Sequence, residues 1–174
     1  MGHLRSWQTE KRVQTFIVDS EEVMMDLPPD LRHEVLFHMH RALISRIPFF
    51  EGKPMGFVAG VVNSITFIEA IEDAAIIRQG EGLGNDGDVF FILKGIAAVW
   101  KNGVVVGDLQ AGSIFGEMAV LSDEEASASV VPRTRCDLAC VPGKMFLALL
   151  AKHPSTFVCL RCVLVTVPVA GTCS

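Results

Sequence analysis

The sequence lacks any apolar run that is long enough to serve as a transmembrane helix. Its most apolar stretch, 157–171, is short and is interrupted by Arg161 and Pro168. The N-terminus becomes polar within a few residues, which argues against a signal peptide. Basic residues are too few for a general affinity for nucleic acid, because the formal net charge is −5. We therefore expect a cytosolic chain whose 174 residues form one domain with helical additions.

Cysteines are few, and they all lie in the C-terminal part of the chain. Their number is five, and an odd number makes a poor disulfide framework. Cys159 and Cys162 have a spacing known from zinc and redox sites, but no second pair is placed to complete such a site. Cys136 and Cys140, on one predicted strand, would lie about 13 Å apart, which is too far for one metal. We expect reduced or buried thiols and no metal site.

The first third of the chain predicts helices. Residues 7–15 are polar and basic, as at the end of a helix, and a capping-box pattern follows at 19–22. Apolar residues recur every four positions from 31 to 47, which predicts a helix, and 55–65 predicts another. The aromatic pair at 49–50 should anchor this part in a core. Four apolar side chains of the second helix should face inward: Phe57, Val58, Val61 and Val62.

The apolar period changes to two after residue 66, which predicts strands. We place them at 66–71, 75–79, 89–93, 96–100, 104–109, 128–131 and 136–141. A helix at 143–153 should pack back onto these strands through Met145, Phe146, Leu149 and Leu150. The expected fold is α+β, an antiparallel β-roll of the jelly-roll type that is flanked by N-terminal linker helices and C-terminal helices.

The stretch 111–130 carries the most specific chemistry. A glycine-rich turn leads into Phe115, Gly116 and Glu117, and a short helical turn follows. The N–H groups at the start of such a turn lack partners and suit an anion. Gly116 would let a ligand approach the backbone, and Glu117 could accept hydrogen bonds from ligand hydroxyls. A lone Phe-Gly-Glu is equally compatible with an ordinary loop.

The order of the neighbouring residues resembles the phosphate-binding cassette of cyclic-nucleotide-binding domains. That cassette reads roughly Phe-Gly-Glu-(Ile/Leu)-Ala-Leu, a loop, and Arg-(Thr/Ala)-Ala-(Ser/Thr)-Val, and 115–121 matches its first half. In the second half Ala126 stands where the family has arginine, and Ser-Ala-Ser-Val follows. The segments 19–50 and 134–138 also resemble hyperpolarisation-activated, cyclic-nucleotide-gated and ether-à-go-go type channels, in which linker helices join the pore to the binding domain.

This resemblance implies a site for cAMP or cGMP. Glu117 would hold the ribose 2′-hydroxyl, and Ser127 with the Ala128 N–H would contact the phosphate. The implied site residues in this sequence are Phe115, Gly116, Glu117, Met118, Ala119, Ala126, Ser127 and Ala128. Losing the arginine should cost about 2–5 kcal/mol, or roughly 30- to several thousand-fold in affinity. The carboxylates of 123–125 oppose an anion further, and Arg133 and Arg135 should lie too far away to compensate.

The resemblance also implies a C-terminal lid, which is atypical in this sequence. The family closes its pocket with an amphipathic helix that carries a basic residue toward the base, and Arg161 is the only candidate for that contact. The segment 163–169 is β-branched and contains a proline, which favours an extended conformation. In ether-à-go-go relatives a C-terminal strand occupies the pocket, and 163–169 could do the same.

Three functional hypotheses remain open at this point. The leading one divides the chain into partial linker helices (1–50), a short helix plus the roll with its cassette (51–142) and a C-terminal helix with the lid (143–174). It makes the chain a regulatory domain at the cytoplasmic face of a membrane, which couples cyclic-nucleotide occupancy to a channel pore and neighbouring subunits without a cofactor. The alternative is a structural or oligomerising domain with a degenerate or self-occupied pocket.

The third hypothesis is a metal enzyme of the cupin type, which shares the small β-barrel. Such an enzyme needs histidines that project from the strands toward a metal. The sequence contains no histidine between His40 and His153, so each predicted strand lacks one. No Ser–His–Asp or Cys–His arrangement stands out either. The sequence therefore disfavours an enzyme.

Overall fold

The computed structural model describes residues 13–14, 28, 31, 38, 45–82 and 84–156. Eight strands lie within these residues: β1 (Val13–Gln14), β2 (Thr66–Ala70), β3 (Asp88–Lys94), β4 (Ile96–Lys101), β5 (Val104–Gln110), β6 (Ile114–Phe115), β7 (Ser129–Pro132) and β8 (Cys136–Pro142). The helices of this part are α1 (Met55–Val62), α2 (Glu117–Ser122) and α3 (Gly143–Lys152). Short 3-10 turns occur at Pro48–Phe50 and Gly84–Asp86.

The strands form two antiparallel sheets. The larger sheet has the order β1-β2-β8-β3-β6, and the smaller one has the order β5-β4-β7. Strand β8 therefore lies between β2 and β3 in the sheet, although it is far from both of them in the sequence. This arrangement confirms the predicted antiparallel β-roll with flanking helices.

Strands β3 and β8 are buried on both faces. On β3, Val89 and Phe91 contact the helices, whereas Phe90 and Ile92 point into the roll. On β8, Val141 lies on the helical side and Cys140 lies inside the roll. A strand that is covered on both faces reads as a continuous apolar run, which explains the Val-Phe-Phe-Ile sequence of β3.

The helices and the 3-10 turn cover the larger sheet with an aromatic core. The ring centroid of Phe50 lies 5.1 Å from that of Phe91 on β3, and Phe57 of α1 meets Phe146 of α3 edge-on at 6.1 Å. Phe49 packs beside Phe50 at 5.2 Å. Each of the three predicted segments of the chain thus contributes to one core, and the predicted inward face of α1 is confirmed.

Several local predictions need correction. Val13–Gln14, expected at the end of a helix, form a strand that pairs with Ala70 and Glu69 of β2. The β-branched residues of this segment favour an extended chain, and β2 offers a free edge for pairing. The predicted strand 75–79 is reduced to a single bridge between Ile77 and Val130. The prediction for Met145 is also wrong, because its side chain is 49% exposed on the outer face of α3.

Part of the N-terminal prediction lies outside the described residues. Residues 31, 38 and 45–46 are helical, which agrees with the helix expected at 31–47. Ile47, the predicted last residue of that helix, is extended and precedes the 3-10 turn at Pro48–Phe50. The other positions of the predicted helix and the capping box at 19–22 lie outside the described part. No helix in the described part is both long enough and apolar enough to cross a membrane.

Candidate functional site

Gly116 forms the turn between β6 and α2. Its backbone is left-handed, with φ +85°, and it caps the N-terminus of α2. A Cβ atom at this position would lie 2.5 Å from the Asp88 carbonyl oxygen and within 3.4 Å of Ile77 and Phe90 side-chain atoms. The sequence predicts glycine here because it lets a ligand approach the backbone. The structure supplies a different reason, since this side of the residue faces the strand β3 and Ile77.

We expect Gly116→Ala to destabilise the fold by about 2–4 kcal/mol, because the left-handed backbone costs roughly 1–2 kcal/mol and the new methyl group overlaps a carbonyl oxygen. Gly103→Ala is the matched control. Gly103 has a similar φ of +78°, but a Cβ atom there would have no other atom within 4 Å, so only the backbone cost of about 1 kcal/mol applies. Urea denaturation of both variants measures the difference. Equal losses of stability would show that the Asp88 contact is irrelevant.

The first turn of α2 leaves several amide groups without a helical partner. The first hydrogen bond of the helix runs from the Val120 N–H to the Gly116 carbonyl, at 3.4 Å. The N–H groups of Glu117, Met118 and Ala119 therefore have no acceptor within the helix. The Met118 side chain is 49% exposed, so this turn lies at the surface. Such a turn is an electropositive group of donors for a polar ligand.

Glu117 is one of the few buried polar residues in the described part of the chain. Its side chain is only 8% exposed. Burial raises the pKa of this carboxyl from 4.5 to about 7, and a hydrogen bond from its own backbone N–H opposes the shift. A carboxyl in this state gains from hydroxyl donors, because they stabilise the charged form that burial disfavours. A ligand hydroxyl that donated to this carboxyl would therefore lower its pKa again.

Phe115, the first residue of the predicted motif, belongs to the core of the roll. It pairs with Phe90 across β6 and β3, and the two rings stack at a centroid distance of 5.0 Å. Its side chain is 5% exposed. The structure therefore gives Phe115 a positioning role, since it fixes the strand that leads into Gly116.

The second half of the motif is tied to the segment that precedes β3. The Gly80 N–H donates to the Ala126 carbonyl at 2.8 Å, and the Ala126 N–H donates to the Glu81 carbonyl at 3.0 Å. Further along, the Val130 N–H donates to the Ile77 carbonyl at 2.9 Å. Because the Ile77 side chain also lies beside Gly116, the structure brings both halves of the motif to the same short segment.

Ser127 and Ala128 lie between Ala126 and the start of strand β7. Ser127 is exposed and Ala128 is half-buried. Within the part of the chain that the structure describes, neither the Ser127 hydroxyl nor the Ala128 N–H has a protein partner. These groups therefore remain available as donors to a ligand.

The electrostatics around Ala126 disfavour an anion. Segment 116–130 contains four carboxylates and no lysine or arginine. Arg133 forms an ion pair with Asp108, with 2.8 Å between Nε and Oδ1, and Arg135 pairs with Glu69. Both arginines are thus engaged on strands away from the motif. Neither of these two arginines replaces the charge of the arginine that Ala126 lacks.

Gln79 is a residue of this region that the sequence did not reveal. Its backbone N–H donates to the Ser129 hydroxyl at 2.8 Å, and its side-chain amide exchanges two hydrogen bonds with Asn102 at the tip of the β4–β5 hairpin. These contacts hold the end of the motif against the hairpin. The partners are 50 and 23 positions away, so no local pattern indicated them.

The predicted lid lies in the part of the chain that the structure does not describe. Arg161, expected to contact the base, lies outside the described residues, as does the segment 163–169 that was expected to be extended. The last described element is the short helical segment at 154–156, which follows α3 after His153.

Comparison with known proteins decides the family. The family model for the cyclic nucleotide-binding domain matches residues 70–153, which include the roll from Ala70 onward, α2 and α3. Residues 70–153 belong to this family. The chain is similar to human potassium/sodium hyperpolarization-activated cyclic nucleotide-gated channel 3, with 29% identity over 145 residues. It is also similar to potassium/sodium hyperpolarization-activated cyclic nucleotide-gated channel 1 of the rat, with 30% identity over 145 residues.

These channels are much longer than this chain. The similarity to each covers 83% of this chain but only 18% of channel 3 and 16% of channel 1. The cyclic nucleotide-binding domain is therefore related to one region of those relatives.

Solved structures share the fold of this domain. The regulatory domain of Toxoplasma gondii PKA, co-crystallised with cAMP, superposes with a TM-score of 0.64 at 23% identity, over 77% of this chain and 51% of that one. The C-linker/CNBHD of zELK channels, crystallised in the presence of cAMP, superposes with a TM-score of 0.61 at 24% identity, over 79% of this chain and 69% of that one. At these identities the similarity shows the fold alone.

Proposed function

We propose that the chain is a regulatory domain from the cytoplasmic face of an ion channel, with a pocket beside Glu117 that binds cAMP or cGMP weakly. The names of the related channels and the matched family support this assignment. The observation that carries it is the first turn of α2, where a buried carboxyl stands beside amide groups that have no helical acceptor. The domain has no catalytic role in this proposal.

The proposed mechanism is a linkage between the pocket and the pore. A ligand that prefers one arrangement of the domain shifts the equilibrium toward it by its differential affinity. The aromatic core provides the route, because Phe50, which follows the N-terminal helix, packs on Phe91 of β3. The partners in this mechanism are the channel's transmembrane region and the neighbouring subunits.

Binding is weak in this proposal because of Ala126. The family arginine would donate charge-assisted hydrogen bonds to the cyclic phosphate, and its absence costs about 2–5 kcal/mol. The phosphate would keep only neutral donors, among them the Ser127 hydroxyl and the Ala128 N–H. This loss corresponds to an affinity that is roughly 30- to several thousand-fold lower than that of the same site with the arginine.

A second candidate function is a structural or oligomerising domain that binds no nucleotide. The carboxylates of 116–130 favour this candidate, since no arginine or lysine balances them. In this case the segment 163–169 would fill the pocket as an intrinsic ligand. The fold would then serve only to hold linker helices and subunits together.

Titration calorimetry with cAMP and cGMP separates the two candidates. We expect the chain to bind one of them measurably at millimolar concentrations, and Glu117→Ala to weaken this binding by at least about tenfold, since the ligand hydroxyl loses its acceptor. Glu124→Ala, which changes an exposed carboxylate of the loop that follows α2, is the control and should not weaken the binding. No heat at millimolar ligand would favour the ligand-independent domain.

A further inference from the structure

Strand β5 is a long strand with one open edge. Strand β4 pairs with it on one side, and within the part of the chain that the structure describes no strand pairs with it on the other. At the other sheet ends, β1 and β6 have two residues each, and the segment before β3 lies along β7, where the Ile76 N–H donates to the Val130 carbonyl at 2.8 Å. An open edge offers backbone N–H and carbonyl groups to a further strand.

The side chains along this edge are apolar, although they face solvent. Val104 and Val106 are 63% and 58% exposed, and Val105 lies opposite Trp100, another exposed apolar side chain, on β4. Natural edge strands usually carry charges or proline that prevent further pairing. The run 102–107 contains neither. The β4–β5 hairpin therefore presents an apolar and uncharged edge, which is a surface typical of a contact site.

The hairpin is held in place before any partner binds. Asn102 and Gly103 have φ values of +52° and +78°, as in the tight turn of a two-residue hairpin. The Gln79 side chain exchanges two hydrogen bonds with Asn102. Gln79 approaches from the side of β7, since its N–H donates to the Ser129 hydroxyl. This contact leaves the outer edge of β5 uncovered, so a partner strand would meet an edge that is already ordered.

The charges at the two ends of the edge indicate what binds it. Lys101 precedes the uncharged run and Asp108 follows it, so the ends have opposite signs. In an antiparallel pair of two β5 strands, the positive end of each strand lies beside the negative end of the other, whereas parallel pairing brings like charges together. Arg133 already pairs with Asp108, but the Asp108 side chain is still 44% exposed and can accept a second cation.

We propose that a second copy of this chain pairs with this edge, β5 against β5 in antiparallel orientation. The two three-stranded sheets then join into one sheet across a two-fold axis, and each copy offers the same surface. The segment 163–169 of the same chain suits the edge less well. Residues 162–173 contain no charge to face Lys101 or Asp108, and Pro168 cannot donate a hydrogen bond to a neighbouring strand.

The irregular register of β5 limits the strength of this contact. Gly107 pairs with Val99 and Val105 pairs with Trp100, so Val106 is an extra residue, as in a β-bulge. A bulge bends its strand and increases the local twist, which shortens the run that a partner can pair with. The interface is therefore small and the dimer weak. The chain should be mainly monomeric at about 10 μM and largely dimeric at about 1 mM.

Sedimentation velocity of the whole chain over this concentration range tests the proposal. We expect Val106→Lys to lower the association constant at least about tenfold, because the two new charges lie near the two-fold axis. Met145→Lys is the matched control, since it makes the same kind of change at a similarly exposed apolar site on α3, and it should associate as the wild type does. A wild type that stays monomeric at about 1 mM, or a dimer that Val106→Lys leaves intact, would overturn the proposal.

Charge reversal tests the antiparallel orientation. Lys101→Glu and Asp108→Lys should each associate about three- to tenfold more weakly than the wild type, because each variant alone brings like charges together at both ends. An equimolar mixture of the two variants should recover the dimer, since every end then faces an opposite charge. A mixture that associates no better than its components would contradict the pairing.

Amide hydrogen exchange identifies the occupant of the edge. With a second copy as the partner, the exchange of the β5 amides should slow as the protein concentration rises. Protection that is the same at every concentration would show that a segment of the same chain, such as 163–169, covers the edge, and the proposal would then be wrong.

Discussion

Ala126→Arg should raise the affinity of the chain for cAMP or cGMP by roughly 30- to several thousand-fold, which corresponds to about 2–5 kcal/mol. The backbone at this position is already held by Gly80 and Glu81, so the new side chain starts from a fixed point. Ala126 is only half-buried, and the longer side chain therefore has room to extend away from the backbone. The guanidinium would supply the charge-assisted hydrogen bonds that the phosphate lacks. Calorimetry or fluorescent-nucleotide competition measures the gain.

Two further variants show whether charge is the cause. Ala126→Gln adds length and hydrogen-bonding capacity without charge, and we expect it to recover only a small part of the affinity. Glu125 lies next to the new arginine and would compete with the phosphate for it, so adding Glu125→Gln should increase the gain. An Ala126→Arg protein that is folded but binds cyclic nucleotide no better than the wild type would contradict the assignment of this position.

Glu117 should make the stability of the domain fall as the pH rises. Its pKa is about 7 in the folded chain and near 4.5 when exposed, so the folded state holds a proton that the unfolded state releases between these values. The stabilisation is therefore complete below pH 4.5 and is lost as the pH rises toward 7. Relative to Glu117→Gln, the free energy of unfolding of the wild type should fall by about 2–3 kcal/mol between roughly pH 5 and pH 8.

Urea denaturation at several pH values measures this effect. The buried thiols do not interfere, because burial raises the pKa of Cys136 and of Cys140 above the ordinary value of 9. Glu124→Gln changes an exposed carboxylate of the loop that follows α2 and should show the same pH dependence as the wild type. If the Glu117→Gln protein had the same pH dependence as the wild type, the carboxyl would not be buried as described.

The fold followed from the sequence wherever apolar pattern and turn chemistry agreed. β2, β3, β4, β5, β7 and β8 lie within one or two residues of their predicted positions, because each is bounded by glycine, proline or acidic turn residues. The short strand β6 was not predicted, because two residues are too few to show the alternation of apolar and polar side chains that marks a strand. β1 escaped because its pairing with β2 joins positions 57 residues apart in sequence, such as Val13 and Ala70.

The sequence predicted several residues of the candidate site, but it did not predict the distant residues that bury and position them. The motif located Gly116, Glu117 and Ala126, since their types and spacing are local. The burial of Glu117 and the contact between Gly116 and the Asp88 carbonyl depend on β3, which comes nearly thirty residues earlier. The same holds for Gln79, whose partners lie on other elements. A local motif can name the residues of a site, whereas their ionisation and packing are set by distant strands.

The most direct test is an amide proton–nitrogen NMR titration of the whole chain with cAMP and cGMP. At saturating probe we predict that the largest shifts occur at the amides of Glu117, Met118, Ala119 and Ala128, with smaller changes at 79–81. The amides of β5, on the far edge of the small sheet, should stay unchanged and serve as the internal control. Shifts spread evenly over the surface, or absent from α2 and Ala128 at millimolar probe, would contradict a ligand pocket at Glu117.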